Sequence, residues 1–339
     1  MSEAVTPPEN PIERYMEELK GKNENTLKNI RVVSESLSEW ADSRGIENVL
    51  AVEKRDVRDF LSELYHDEGY AASTIRQKQM SLRSFFGVYT EGEREDESGF
   101  LPKCLSENPA RFNLNLVVGN DSTEAEKQKH VSDNDNGVTY LERSEVKALI
   151  DAVPKPKIRN SLAIKLLVQT GARNGEVCNL KVDSVNREDG TVTIPDTKNG
   201  GTRTVPYQNL DPELTMWLDN GFRDRFEVAD DSEYLLVGKQ SGQLSEVWLG
   251  TMVRESAYSA GIQEEYGETA DGNVKRKVTP HALRSTFCVQ IFKQTSMSVP
   301  EVMQLTGHTR MATVEDYAEV AREDAVDALQ QESVDFGTE

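Results

Sequence analysis

The chain carries four histidines, and two of them stand in unusual company. In the run Thr279-Pro280-His281-Ala282-Leu283-Arg284, Thr279 is placed to cap a helix and Pro280 to begin it. His281 and Arg284, three apart, then share one helical face and can reach the same small anion. Further on, Ser298 and Glu301 read as the capping box of a helix that stops at Gly307, which leaves His308 exposed just past the stop. Thr313 is placed to cap the next helix, with Tyr317 in its first turns. Upstream, QTGARNGEVCNL sets Arg173 in a tight turn with Glu176 three residues on, and Lys198 falls at the end of the first strand of a hairpin. All six side chains sit at termini or turns, none in a buried helix interior. Guanidinium, imidazole, ammonium and phenol groups so placed suit the binding and attack of a phosphate. No acidic cluster is present to hold magnesium, and no GxxxxGK[ST] loop to hold a nucleotide.

Taken singly, each residue has an ordinary explanation. A tyrosine in an amphipathic helix is usually packing, and a histidine after a terminal glycine can cap helix carbonyls. Arg173 beside Glu176 reads equally as a local ion pair, and hairpin lysines such as Lys198 are common. Cys178 and Cys288 fall at apolar helical positions and read as core. With Cys104 they make three widely spaced cysteines with no CxxC pair, which fits a reducing cytoplasm better than a disulfide framework or a zinc site.

The elements that must position these groups are mostly helices. With 339 residues the chain is long enough for two domains. Residues 1–10 read as a Pro- and Glu-rich disordered tail. From 11 to 90, four segments with apolar residues three or four apart predict a four-helix bundle, with Gly21, Gly45 and Gly69 as stops and Ser73 or Thr74 capping the fourth helix. Residues 91–137 lose the periodicity and read as a linker with an insertion. A second, α-rich domain spans 138–330. Its one strong β signal is TVTIPDTKNGGTRTVPY, alternating residues about an Asn-Gly-Gly turn. GIQEEYGETADGNVKRK reads as a loop, and 331–339 as an acidic tail. The start of the chain has no secretory pattern, and no stretch approaches the roughly 20 apolar residues of a spanning helix.

The order and spacing of Arg173 in TGARNGEV, Lys198 in TKNGGTR, His281-x-x-Arg284, Gly307-His308 and Tyr317 resemble the tyrosine recombinase, or phage integrase, family. Within it, the chain looks like the two-domain, Xer-like members without an arm-binding domain. The resemblance implies a mainly α fold, with an N-terminal SAM-like core-binding domain and a catalytic domain holding a small sheet. It implies site-specific cutting and rejoining of double-stranded DNA through a 3′-phosphotyrosine, with no cofactor, metal or ATP. Arg173, Arg284 and His308 would donate to the phosphate oxygens, and Tyr317 would attack. His281 is the candidate base, Lys198 the candidate acid, and Glu176 the support of Arg173. Thr306 and Ser285 depart from the family pattern and are expected to leave the chemistry untouched.

A net charge of −20 argues against a polyanion partner unless the acid is a global adaptation to a high-salt, halophilic archaeal cytoplasm. Local basic groups could still meet DNA: Arg76, Lys78 and Arg83 in the first domain, and Lys275, Arg276 and Lys277 before the His281 helix. The family implies a dimer on a site and a tetramer in synapsis. The acidic amphipathic end EDAVDALQQES fits docking on a neighbouring copy. Two other activities use the same residues: a type IB topoisomerase-like nicking-closing enzyme, and a catalytically idle DNA-binding regulator of a mobile element.

Overall fold

The computed structural model describes residues 6–19, 24–90, 101–119, 138–195 and 201–331, with side chains to 324. The chain divides into two compact units, Met1–His130 with Glu268–Asn273 and Val131–Gly267 with Val274–Glu339, each with its own core.

In the first unit, α1 (Pro11–Glu18), α2 (Glu24–Asp42), α3 (Lys54–His66) and α4 (Ala72–Gly87) follow the apolar spacing of the sequence. They enclose Tyr15, Leu37, Phe60, Leu61, Ile75, Leu82, Phe85 and Phe86. Gly45 and Gly69 have φ of +79° and +75° just beyond α2 and α3, a conformation that side chains with a Cβ resist. The cap of α4 differs from expectation. The cap position falls two to three residues earlier, at Ala71, so Ser73 and Thr74 lie inside the helix. That start puts Ala72 on the buried face with Ile75 and Gln79. Residues 101–119, read as linker, pack into this core through Leu101, Ala110, Leu114, Val117 and Val118, the last two in α5 (Asn115–Val118). The buried Gln79 amide donates to the carbonyls of Ala110 and Phe112, each at 3.1 Å, and so pins an extended segment that no periodicity announces.

The second unit runs α6 (Arg143–Asp151), α7 (Lys157–Thr170), α8 (Asn174–Cys178), then a three-stranded antiparallel sheet of β1 (Val185–Asn186), β2 (Thr191–Pro195) and β3 (Thr202–Pro206). It continues through α9 (Asp211–Leu214) and α10 (Glu246–Ser259) to a two-stranded hairpin, β4 (Glu265–Glu268) and β5 (Val274–Arg276), where the sequence reads as loop. The strands of that hairpin are largely exposed and polar, so they lack the apolar alternation that marks β2 and β3. Last come α11 (Pro280–Gln294), α12 (Val299–Thr306) and α13 (Met311–Gln331). Helices α7 and α11 are buried on nearly every side and pack against each other, and α13 lies along α11. This places α11, which carries His281 and Arg284, at the centre of the unit. Helix α13 begins at Met311, so Thr313 sits inside its first turn and is not its cap. Among the described residues, no helix is long and apolar enough to cross a membrane.

Candidate active site

Three guanidinium groups meet at the C-terminus of α12. Its last carbonyls have no intrahelical partner, because the chain turns at Gly307 into a left-handed conformation (φ +68°). Arg203 Nε donates to Leu305 O at 3.0 Å, Arg284 Nη2 to Thr306 O at 2.7 Å and Arg173 Nη2 to Gly307 O at 3.2 Å. Three consecutive acceptors at the negative end of a helix thus each receive a different cation. The arginines come from three places. Arg173 caps α8, directly after the Gly171 turn that ends α7. Arg203 lies on β3, and Arg284 lies one turn into α11.

Glu176 organises two of them. Its Oε1 accepts from Arg173 Nη1 at 2.7 Å and Arg203 Nη1 at 3.1 Å. Its Oε2 accepts from the Arg173 backbone N–H at 2.7 Å and Arg203 Nη2 at 2.6 Å. Burial alone would push this carboxyl up, but the hydrogen bonds from Arg203 and the Arg173 backbone, with the Arg203 charge, hold it below the usual carboxylate range. Arg173 keeps a side-chain exposure of 40%, so part of its fork faces outward. Arg284 is 2% exposed, although no site residue was expected to be buried in a helix, and its Nη1 donates to Gly171 O at 2.5 Å. Burial, then the neighbouring Arg173, lowers its pKa to about 10, so it stays charged at neutral pH.

His308 follows the turn, half-buried. Its Nε2 lies 3.2 Å from Arg284 Nη2 and its Nδ1 2.6 Å from Thr306 Oγ1. Burial, then the charges of Arg284 and Arg173, lower its pKa to about 3, so the ring is neutral. The Tyr317 ring sits 5.9 Å from the His308 ring, centroid to centroid. It lies in the second turn of α13, as the sequence predicts, but at 4% exposure it is buried where no site residue was expected to be. Burial raises its pKa, partly offset by a 3.5 Å contact with Ser285 Oγ. His281 takes the second position of α11, after Thr279 Oγ1 accepts from Ala282 N–H at 3.2 Å. Its ring stays at the exposed rim, held below the ordinary imidazole pKa by partial desolvation and by Arg284 and Arg173.

The arrangement therefore gathers Arg173, Glu176, Arg284, His308 and Tyr317 about the Gly307 turn, with His281 close enough to feel both arginines. Lys198 lies outside the described residues. Arg203 carries no role in the sequence reading, although it stands two residues from the buried Val205 and opposite Ile194, on the inward face of β3. Thr306 and Ser285, expected to be uninvolved, each place a hydroxyl against a site residue. Thr306 precedes the turn so closely that its side chain meets the ring two residues on.

The other cations divide. Arg276 Nε is 3.2 Å from Glu265 and 3.1 Å from the Tyr258 hydroxyl, while Lys277 Nζ is 3.0 Å from Glu145 and 2.9 Å from Glu264. Carboxylates thus hold two of the expected DNA-contact residues, whereas Lys275 has no ion-pair partner among the described residues. On α4, Arg83 is exposed, and Lys78 Nζ lies 4.5 Å above the Tyr70 ring. Arg76 is half-exposed on the same helix. The cysteines are free, and burial raises Cys178 and Cys288 to about 12, so both are inert core thiols.

Residues 139–324 match the phage integrase family, and residues 12–91 match the N-terminal SAM-like domain of phage integrases. The chain is 30% identical over 276 residues to tyrosine recombinase XerA of Pyrococcus furiosus, covering 78% of this chain and 89% of that protein. It is 22% identical over 320 residues to tyrosine recombinase XerC of Halalkalibacterium halodurans, covering 91% of each. Its fold is similar to that of the XerH site-specific recombinase bound to palindromic difH substrate (TM-score 0.67, 18% identity, 96% of this chain and 85% of that one). It is also similar to a lambda integrase dimer, residues 75–356, bound to a COC′ core site (TM-score 0.57, 18% identity, 92% and 95%). The chain belongs to the phage integrase family, and it is an enzyme of DNA cleavage and strand transfer.

Proposed function

We propose that this protein is a site-specific recombinase that acts in the cytoplasm on double-stranded DNA, with Tyr317 as the nucleophile. The observation that carries the assignment is the convergence of Arg173, Arg284 and His308 on the Gly307 turn beside the Tyr317 ring. A phosphodiester attacked by a phenol gains negative charge on its two non-bridging oxygens. Arg173 and Arg284 offer planar forks to those oxygens, and His308 adds a ring N–H. Removing one such donor costs about 2.7–4 kcal/mol of transition-state stabilisation.

The phenol is buried and protonated before attack, so it needs a base. His281, unprotonated at neutral pH and at the open rim, accepts that proton. The phenolate oxygen bonds to phosphorus as the bond to the 5′ oxygen breaks, and Lys198 protonates the leaving alkoxide. The resulting 3′-phosphotyrosine retains the ester's energy, so a 5′ hydroxyl can reverse the step on a second strand without ATP. Glu176 takes no proton in this cycle and holds Arg173 in place. Arg76, Lys78, Arg83 and Lys275 supply backbone contacts to the duplex. Strand exchange between two sites requires copies of this chain to act together, as a dimer on each site and a tetramer across two.

The test uses a pool of nicked duplexes of random sequence, with covalent adducts recovered on a denaturing gel and their DNA sequenced. Wild type is expected to yield adducts on a common site and Tyr317→Phe none. No adduct from wild type would favour an idle DNA-binding protein. Joining of two duplexes of different length separates recombination from nicking and closing.

A further inference from the structure

Thr306 has one hydroxyl proton and two close groups that could take it, with Met303 O farther off at 3.5 Å. Its Oγ1 lies 2.7 Å from Val302 O and 2.6 Å from His308 Nδ1. A hydroxyl donates once and accepts through its lone pairs, so the two contacts cannot both be its donations. If the proton goes to Val302 O, His308 must donate its own Nδ1–H to Thr306. Nε2 then carries no hydrogen, and the Arg284 Nη2 donor lies 3.2 Å from it and 3.4 Å from Nδ1. If the proton instead goes to Nδ1, the ring carries its hydrogen on Nε2, a second donor only 3.2 Å from Arg284 Nη2. That second state is unfavourable in the free protein and favourable around an oxyanion.

We propose that Thr306 is a positioning residue that sets the tautomer of His308. With no DNA bound it holds the Nδ1–H form; when a phosphate enters, it turns its hydroxyl from Val302 O to Nδ1 and so leaves Nε2–H free to donate. Water carries the imidazole proton from Nδ1 to Nε2, and no bond to carbon or phosphorus changes. The inference rests on the reading of His308 as a phosphate donor. Because the ring is neutral at physiological pH, its hydrogen-bonding role is decided by tautomer and not by charge. The hydroxyl is fully buried, so no solvent molecule replaces it when it is removed.

Thr306→Val removes the hydroxyl at nearly constant shape, and Thr306→Ser restores it. Imidazole nitrogen shifts of the free proteins report the tautomer. Wild type and Thr306→Ser are expected to show the Nδ1–H form of His308, and Thr306→Val a substantial Nε2–H fraction. In single-turnover cleavage of a nicked duplex, Thr306→Val should form adduct about tenfold more slowly, the size of one lost hydrogen bond, with DNA affinity unchanged. Thr306→Ser should recover most of the rate. A Thr306→Val spectrum matching wild type overturns the proposal whatever the rate, and an altered spectrum with a wild-type rate overturns the role in cleavage. Failure of wild type to form any adduct would instead count against the recombinase reading, and the spectra would still report the tautomer.

Discussion

Arg203 grips Glu176 with two parallel hydrogen bonds, Nη2 to Oε2 at 2.6 Å and Nη1 to Oε1 at 3.1 Å. A strand residue thereby fixes the carboxylate that orients Arg173, and its own Nε reaches on to Leu305 O. The sheet, α8 and the end of α12 are tied together by this one side chain. Arg203→Met keeps most of the volume and removes all three donations. It is expected to cost about 3 kcal/mol, the lower end for breaking a buried ion pair, because Arg173 still partners the carboxylate. Urea denaturation measures the loss. Adduct formation should fall as well, since a loosened Glu176 no longer holds Arg173.

Gly307→Ala probes the turn itself. A residue with a Cβ pays about 1–2 kcal/mol at φ +68°, and the added atom would stand 3.3 Å from Arg203 Nη1. The guanidinium must shift by a few tenths of an ångström, and the carbonyls of residues 305–307 shift with it. The melting temperature should drop modestly. The cleavage rate should drop far more, because all three arginines take their position from those carbonyls. Equal modest effects on both would contradict the role given to the turn.

Buried Glu176 and half-buried His308 give the fold an acid-sensitive limb. His308 binds a proton only near pH 3 when folded but near its ordinary value of 6.5 when unfolded. The unfolded state therefore takes up the proton first, and stability falls as pH drops from about 6.5 towards 3. Glu176, whose folded pKa is depressed, contributes stability that is full above its ordinary 4.5 and lost as pH falls through the folded value. The variants should separate in urea midpoints measured against pH. His308→Gln should flatten the slope between pH 6.5 and 5, while Glu176→Gln should alter the slope only below about 4.5.

The sequence exposes the site wherever punctuation and chemistry coincide. Thr279-Pro280 announces the start of α11, and Gly307 announces the end of α12. Arg203 was hidden because its partner is 27 residues away, across a sheet edge that local spacing does not describe. Strand parity, two residues from buried Val205, was the available signal. Thr306 and Ser285 depart from the family pattern yet lie against His308 and Tyr317, because the backbone sets them two residues from one site residue and next to Arg284. The second hairpin, β4 and β5, escaped for want of apolar alternation. Residues 101–119 escaped because their place in the core depends on Gln79, a polar residue whose burial only the fold reveals.

The claim on which the rest depends is that Tyr317 alone takes the phosphate. Covalent complexes formed on nicked duplex, digested with nuclease and trypsin, reduce this to one peptide, Met311–Arg322, whose sole tyrosine is Tyr317. Mass spectrometry should find a 3′-phosphonucleotide esterified to that tyrosine, and none on any other peptide. A nucleotide attached elsewhere, or an adduct that persists in Tyr317→Phe, would contradict the account.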